Sequence, residues 1–295
     1  MKNLLIATTA LVATAGVAAA DVSLSGAANV GVLNNGDAGS ITLMYNNVTV
    51  TAAMSGETDS GLTFGASLSF RAGHDVDLDV GDLADNNQDY LYEFEDEHMA
   101  TSLGNIYVSG DFGKLTFDAN GVDNAHNDSF SHDVMYTGTF GALAVTATAN
   151  VEGGSTSDGG DFSLKVVYSA DGVTATAATD DGGEYDATLA YVVNDMLTAS
   201  VNYDSNGGDT GAETAVKVAY ANDGITAALT LKDGVAVNQW ALALGYAANG
   251  FAVNVAVDDA GSEDLSASYD LGGGMSINAA TNETGAFFVG SKMTF

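Results

Sequence analysis

The sequence predicts an all-β chain folded as a transmembrane antiparallel up-and-down β-barrel, on three observations. Large apolar residues alternate with small or polar ones almost end to end beyond residue 20, and helical periodicity is nearly absent. The connections alternate between curt turns and longer polar loops, as hairpins that all point the same way require. An aromatic residue stands just before a short turn at Phe140, Tyr168, Tyr191, Tyr220, Tyr246 and Tyr269, at spacings of 28, 23, 29, 26 and 23 residues. One aromatic at a fixed depth in each successive hairpin is what a membrane-interface girdle demands. The plainer source of such residues is the ordinary preference of Tyr for strands.

The elements follow in order. "MKNLLIATTALVATAGVAAA" carries Lys2, an apolar stretch from Leu4 and small residues before Asp21, the pattern of a secretory signal over 1–20 cleaved after Ala20. It is short for a membrane anchor, and no later apolar run approaches the ~20 residues of a spanning helix. The barrel then occupies 21–295. Short turns are read at "SGETDSG", "SGDFG", "GTFG", "SADG", "VND", "ANDG", "AANG" and "DLGGG". Longer loops are read at "NNGDAG", 73–98, 120–132, "VEGGSTSDGGD", "TDDGGEYD", "DSNGGDTGAE", "KDGVAVN", "DDAGSED" and "TNETG". These connections join 18 strands and leave both chain ends on the short-turn side. Between them, "FSLKVVYS" puts Phe162, Leu164, Val166 and Tyr168 on one face, and "MLTASVNYD" does the same with Leu197, Ala199, Val201 and Tyr203. "WALALGY" sets Trp240, Leu242, Leu244 and Tyr246 against Ala241, Ala243 and Gly245.

Composition decides which face meets what. The 295 residues include 36 Gly, no Pro and no Cys, with seven Lys+Arg against 39 Asp+Glu for a net charge of −32. The lack of Cys excludes disulfide frameworks and thiolate chemistry. The acidity argues against a nucleic-acid partner, whose phosphates need a basic face. A soluble sheet guards its edges with Lys or Pro, and both are scarce here; a closed barrel has no edge to guard. The acids also segregate, with ten of them in 75–97 and few in the short turns. Long acidic loops on one side and curt turns on the other fit an outer-membrane barrel.

The chain ends in "AFFVGSKMTF", with Phe287, Val289, Met293 and Phe295 on one parity. A terminal aromatic strand of this kind resembles the last strand of outer-membrane porins, whose final Phe is read by the barrel assembly machinery. "MSGETDSGLTFGASLSF", "VSGDFGKLTF" and "ASYDLGGGMSI" resemble the turns of the general porins of alphaproteobacteria, the Rhodobacter-type family. The resemblance spans most of 21–295 and is strongest at the first two short turns and the last two strands. It implies periplasmic turns, outer loops, a homotrimer set in outer-membrane lipid and lipopolysaccharide, and a water-filled pore. Two departures stand out. The family usually has 16 strands, so the expectation spans 16–18. Its long third loop folds into the barrel, whereas the matching segment here, "NGVDNAHNDSFSH" at 120–132, is short.

Candidate chemistry is sparse. Asp75, Asp77 and Asp79 open an acidic stretch that can offer oxygen ligands to Ca²⁺. The spacing fails the EF-hand pattern, because Gly81 falls one place late and the twelfth position is Asn86. A solvated acidic loop is the plainer reading; loop carboxylates bridged by Ca²⁺ to one another or to lipopolysaccharide are the sharper one. The four histidines are His74, His98, His126 and His132. His126 and His132 with Asp123, Asp128 and Asp133 offer a metal or acid–base site, but no nucleophile elbow or H-E-x-x-H accompanies them. No enzyme is expected.

In related porins an acidic third loop faces a basic wall. Asp123, Asp128 and Asp133 occupy the loop position and are the expected constriction. The expected basic lumen residues are Arg71, Lys165 and Lys217, with Lys292 on the same parity and Lys114 and Lys232 the only other bases beyond Lys2. So thin a basic wall under an acidic mouth predicts a passive channel that prefers cations. Acids too distant from the pore to matter are the alternative, since the Debye length is only ~8 Å at physiological salt. An exported Ca²⁺-binding adhesin or surface β protein is the other class of reading, though it lacks tandem GGxGxD repeats. A substrate-specific channel is a third, and no ligand-matched stripe marks the lumen parity.

Overall fold

The computed structural model describes residues 21–34, 36, 41–77, 93–126, 131–151, 161–208, 211–235 and 239–295. Every element among them is a strand. The first six are β1 (Asp21–Asn34), β2 (Leu43–Glu57), β3 (Thr63–Asp77), β4 (Glu93–Gly110), β5 (Gly113–Asp123) and β6 (Ser131–Phe140). The middle six are β7 (Leu143–Ala149), β8 (Phe162–Ala170), β9 (Val173–Asp180), β10 (Tyr185–Asn194), β11 (Leu197–Gly208) and β12 (Gly211–Asn222). The last six are β13 (Ile225–Asp233), β14 (Trp240–Ala248), β15 (Phe251–Asp258), β16 (Glu263–Gly272), β17 (Met275–Asn282) and β18 (Phe287–Thr294). Each pairs antiparallel with its sequence neighbours, and β1 pairs with both β2 and β18. The sheet is therefore a closed meander of 18 strands, as the turn count predicts and two more than the 16 usual in the family.

Local chemistry explains the tight turns. Asp171–Gly172, Asp223–Gly224 and Asn249–Gly250 all have positive φ at both residues, the two-residue turn whose twist matches that of the flanking strands. Asp and Asn tolerate that conformation, and Gly adopts it freely. At the other end two strands overrun the expected loop. The 73–98 segment keeps its ladder to Asp77 on β3 and resumes it at Glu93 on β4, because backbone pairing continues while a partner strand is alongside. β5 likewise runs on to Asp123.

Parity sorts the two faces. On β10, Tyr185, Leu189 and Tyr191 face outward and stay exposed, while Asp186, Thr188 and Ala190 face the lumen. Phe140, Tyr168, Tyr191, Tyr220, Tyr246 and Tyr269 all lie on the outward, exposed parity beside short turns. A second outward set, Phe162, Tyr185, Tyr203 and Trp240, stands six residues up its strands at the loop end, about 20 Å along each strand. Tyr185 and Tyr203 stack there at 5.8 Å. Between the two aromatic sets lie Leu164, Val166, Leu189, Val201, Leu242 and Leu244. Two girdles around an apolar belt are the surface of a barrel that stands in lipid.

The seam where β18 meets β1 holds a buried apolar cluster. Gly31 and Gly290 are direct cross-strand partners on the lumen face, and Tyr45 of β2 pairs with Gly31. The Tyr45 ring, 1% exposed, covers both glycines and packs with Leu33, Phe288, Ala280 and Ala286. A methyl group at residue 290 would run into Tyr45 Oη and lie 2.8 Å from the Val30 carbonyl oxygen, which the ladder holds fixed. Gly290→Ala is accordingly expected to destabilise the barrel by about 1–3 kcal/mol, seen as a lower melting temperature for the folded band on unboiled gels. A melting temperature equal to wild type would show that the seam tolerates the methyl.

Candidate functional site

The lumen wall carries every base of residues 21–295. Arg71 pairs with Thr49, Lys114 with Thr137, Lys165 with Thr146, Lys217 with Ser200, Lys232 with Ala215 and Lys292 with Asn29, and all of these positions share the lumen parity. A base on the lipid face would cost about 2–4 kcal/mol at mid-membrane, so the placement follows from the solvent. Arg71, Lys165 and Lys217 stand on this parity beside Lys114, Lys232 and Lys292. They are dispersed over six strands rather than gathered into a wall. Lys114 lies 4.4 Å from the centre of the Tyr107 ring, and Lys232 lies 3.5 Å from Glu213.

Acids do gather. Asp180, Asp186, Asp204 and Glu213 sit on four consecutive strands, β9 to β12, with Asp186 opposite Asp204 and Asp204 opposite Glu213 in the ladder. This lane was absent from the residues the sequence singled out. Its signal was nonetheless present, because each acid shares parity with small polar neighbours such as Thr188 and Asn202. Arg71 on β3 is nine places around the ring of 18 from β12, so it faces the lane across the pore.

The third outer loop turns inward despite its shortness. Ala125 N–H donates to Ser163 Oγ at 2.8 Å and approaches Thr148 Oγ1 at 3.4 Å. Thr148 and Ser163 are buried lumen-facing residues of β7 and β8, hydrogen-bonded to each other. Buried His132 bridges Thr148 Oγ1 at 2.7 Å through Nδ1 and Asn124 Nδ2 at 3.3 Å through Nε2. Both ring nitrogens of His132 are thus engaged. His132 is therefore a structural strut.

Of the expected constriction residues, Asp123 ends β5 at an exposed position, and Asp133 Oδ2 accepts Val151 N–H at 2.7 Å at the rim. Asp128 lies outside the described residues. Among the described loop residues, Asn124, Ala125 and His126 enter the barrel; the sequence singled out His126 but not Asn124 or Ala125. His126 points away from His132, toward Asp180 on β9. Asp75 and Asp77 sit on the outer end of β3, and Asp79 lies outside the described residues. Phe295 closes the seam, donating its N–H to Gly26 O at 2.8 Å and accepting from Gly26 N at 3.2 Å, with its ring exposed on the outward parity.

The rim acids have a second occupation. Asp181 accepts Asp161 N–H at 3.0 Å and Phe162 N–H at 3.4 Å, Asp259 accepts Trp240 N–H at 3.0 Å, and Glu283 accepts Glu263 N–H at 3.2 Å. Each loop acid thus satisfies the free strand end of the neighbouring hairpin. The donated N–H groups, that of Asp161 first on Asp181 and that of Trp240 first on Asp259, hold both carboxyls below the usual aspartate range.

The chain matches the family model described as "Gram-negative porin" over residues 7–286. It is 29% identical over 304 residues to a porin of Rhodobacter capsulatus, across 87% of this chain and 92% of that protein. Its fold is similar to that of a triple mutant of Rhodopseudomonas blastica porin, with a TM-score of 0.52, 18% identity and coverage of 93% of this chain and 100% of the other. A second mutant of that porin gives a TM-score of 0.52 at 17% identity with the same coverage.

Two outcomes are expected. Thr148→Val strips a partner from His132, from Ser163 and from Ala125, a loss of about 1–3 kcal/mol concentrated in the loop seat. It should raise open-channel noise in single-channel traces while the barrel still runs as a folded band; quiet traces like those of wild type would refute the seat. Asp181 and Asp259 have native pKa values below their unfolded ones, so their contribution is complete above the ordinary aspartate value of about 3.9 and is lost as pH falls through the lower native value. Cleavage of the outer loops by an acid protease should therefore rise only below about pH 4; a rise beginning near pH 6 would contradict the capping.

Proposed function

Because this chain belongs to the Gram-negative porin family, we propose that it forms an outer-membrane channel for passive diffusion of ions and small hydrophilic solutes, with a preference for cations. The observation that carries the preference is the acidic lane on β9–β12 in a lumen whose bases are dispersed and partly neutralised. The lane sets carboxylates on adjacent strands of the lumen wall, where low-dielectric walls focus their field on a passing cation. Ser, Thr and Asn along the lumen parity hydrate the path, and no step requires covalent chemistry. The inward third loop and the lane it faces form the constriction of this reading, in place of an acid-tipped loop.

The family resemblance also supports a homotrimer embedded in outer-membrane lipid and lipopolysaccharide, exported with residues 1–20 as its signal. Phe295, exposed at the periplasmic end of β18, is the signal offered to the assembly machinery. Ca²⁺ held by the acidic stretch around Asp75, Asp77 and Asp79 would stiffen the outer face.

The decisive measurement is single-channel conductance in a planar bilayer with the reversal potential under a KCl gradient. Large ohmic steps with cation preference are expected, and the preference should shrink as salt shortens the Debye length. Asp186→Asn combined with Asp204→Asn should move the reversal potential toward zero. Anion preference in wild type would overturn the charge reading while leaving the channel. Release of the protein by chelator without detergent would favour the surface-adhesin alternative.

A further inference from the structure

Two buried side-chain atoms among the described residues have no hydrogen-bond partner, His126 Nδ1 and Asp186 Oδ1. The His126 side chain is 6% exposed and that of Asp180 is 2% exposed. His126 Nδ1 lies 3.6 Å from Asp180 Oδ2, beyond hydrogen-bond reach, and has no hydrogen-bond partner. The surroundings are otherwise held in place. His126 N–H donates to Asn124 Oδ1 at 2.8 Å, Asp180 Oδ1 accepts Glu184 N–H at 3.1 Å, and Glu184 Oε1 accepts Asn206 Nδ2 at 2.6 Å. One ligand atom each from His126, Asp180 and Glu184 falls within 4.8 Å of the others. Asp186 follows two residues after Glu184, on β10, and its buried Oδ1 likewise lacks a partner.

A direct ion pair explains this poorly, because a protonated Nδ1 facing a carboxylate at that burial would close to hydrogen-bond distance. An ion between the groups explains it well. Ligands about 2.0–2.1 Å from one metal lie roughly 3.3 Å apart in tetrahedral geometry, close to the observed nitrogen–oxygen gap. Two carboxylates and a neutral imidazole balance a dication. The nitrogen ligand selects the metal class, since Ca²⁺ and Mg²⁺ prefer all-oxygen shells whereas imidazole with carboxylate suits zinc and its neighbours. The bond from Asn206 to Glu184 is the kind of outer support that aims a metal ligand.

We propose that His126, Asp180 and Glu184 bind one divalent ion of the zinc class, which fastens the third loop to the β9–β10 hairpin across the lumen wall. The site joins a loop to strands on the far side of the ring from the seam, so its occupancy sets how firmly the constriction is held. It differs from the carboxylate-only site around Asp75 both in place and in the metal it selects.

The test uses the folded barrel in detergent, stripped with EDTA and titrated with Zn²⁺ against a chromophoric chelator. One Zn²⁺ per chain is expected. His126→Gln and Glu184→Gln should each weaken binding more than roughly tenfold, while His74→Gln should leave it unchanged. The folded band on unboiled gels certifies each variant. In bilayers, Zn²⁺ should quieten wild-type channels and leave His126→Gln channels unaffected. Absence of Zn²⁺ uptake by folded wild type, uptake retained by folded His126→Gln, or equal affinity for Ca²⁺ would each overturn the proposal. Because uptake is read by binding, these results are independent of whether the barrel conducts.

Discussion

In hydrocarbon an unpaired peptide N–H or C=O has no water to turn to, so a sheet that crosses a membrane must meet itself. The β18–β1 seam does this, and the other features of the barrel answer to it. The ladder runs from Asn34↔Phe287 to Ala27↔Thr294, and the chain's last residue extends it by two further bonds to Gly26. Closure there brings two glycines face to face, which leaves a groove on the lumen side that Tyr45 fills. The glycines let the backbones pass close, and the ring restores the contact they forgo. A seam built this way is both hydrogen-bonded and packed, although the wall on either side is a single layer.

Once the sheet is closed, the two faces have different solvents and the charges have little choice. Bases go inward because the lipid belt between the girdles excludes them. Acids go inward or up to the rim. At the rim, staggered strand ends leave N–H groups beyond the last ladder bond, and Asp133, Asp181, Asp259 and Glu283 take them. A carboxylate accepts such bonds more strongly than a neutral oxygen would. Part of the chain's acidity is therefore a structural answer to uneven strand ends, repeated from hairpin to hairpin.

The strand count was legible because its signals are local. Period-two alternation and Asp-Gly or Asn-Gly turns operate within a few residues, and the structure returns the same 18 strands. The lumen parity of Lys165 and Lys217 was legible for the same reason. The inward turn of the third loop was not, because it depends on His132, Thr148 and Ser163, which come from three strands and meet only after the wall has formed. Loop length was a poor guide: seven residues between β5 and β6 suffice when Asn124 and Ala125 can hydrogen-bond to the wall. The acidic lane fell between these cases. Its parity could be read along each strand, but the register that sets Asp186 beside Asp204 and Asp204 beside Glu213 is a property of pairing.

These assignments also decide how far the net charge of −32 bears on conduction. The rim acids already accept backbone N–H groups, and they stand at the mouth, where electrolyte screens them within a Debye length. The acids of β9–β12 stand on the lumen wall, where low-dielectric surroundings on one side weaken that screening. An ion in transit is therefore governed by a few carboxylates on four strands and by the lumen-facing bases, rather than by the sum over the chain. Lys232 is largely removed from that account by Glu213, which also lowers the lane's own charge by one at its β12 end. The inward loop meets this acidic wall where His126 approaches Asp180. The narrowing of the path and the acidity of the wall thus coincide at one place in the barrel.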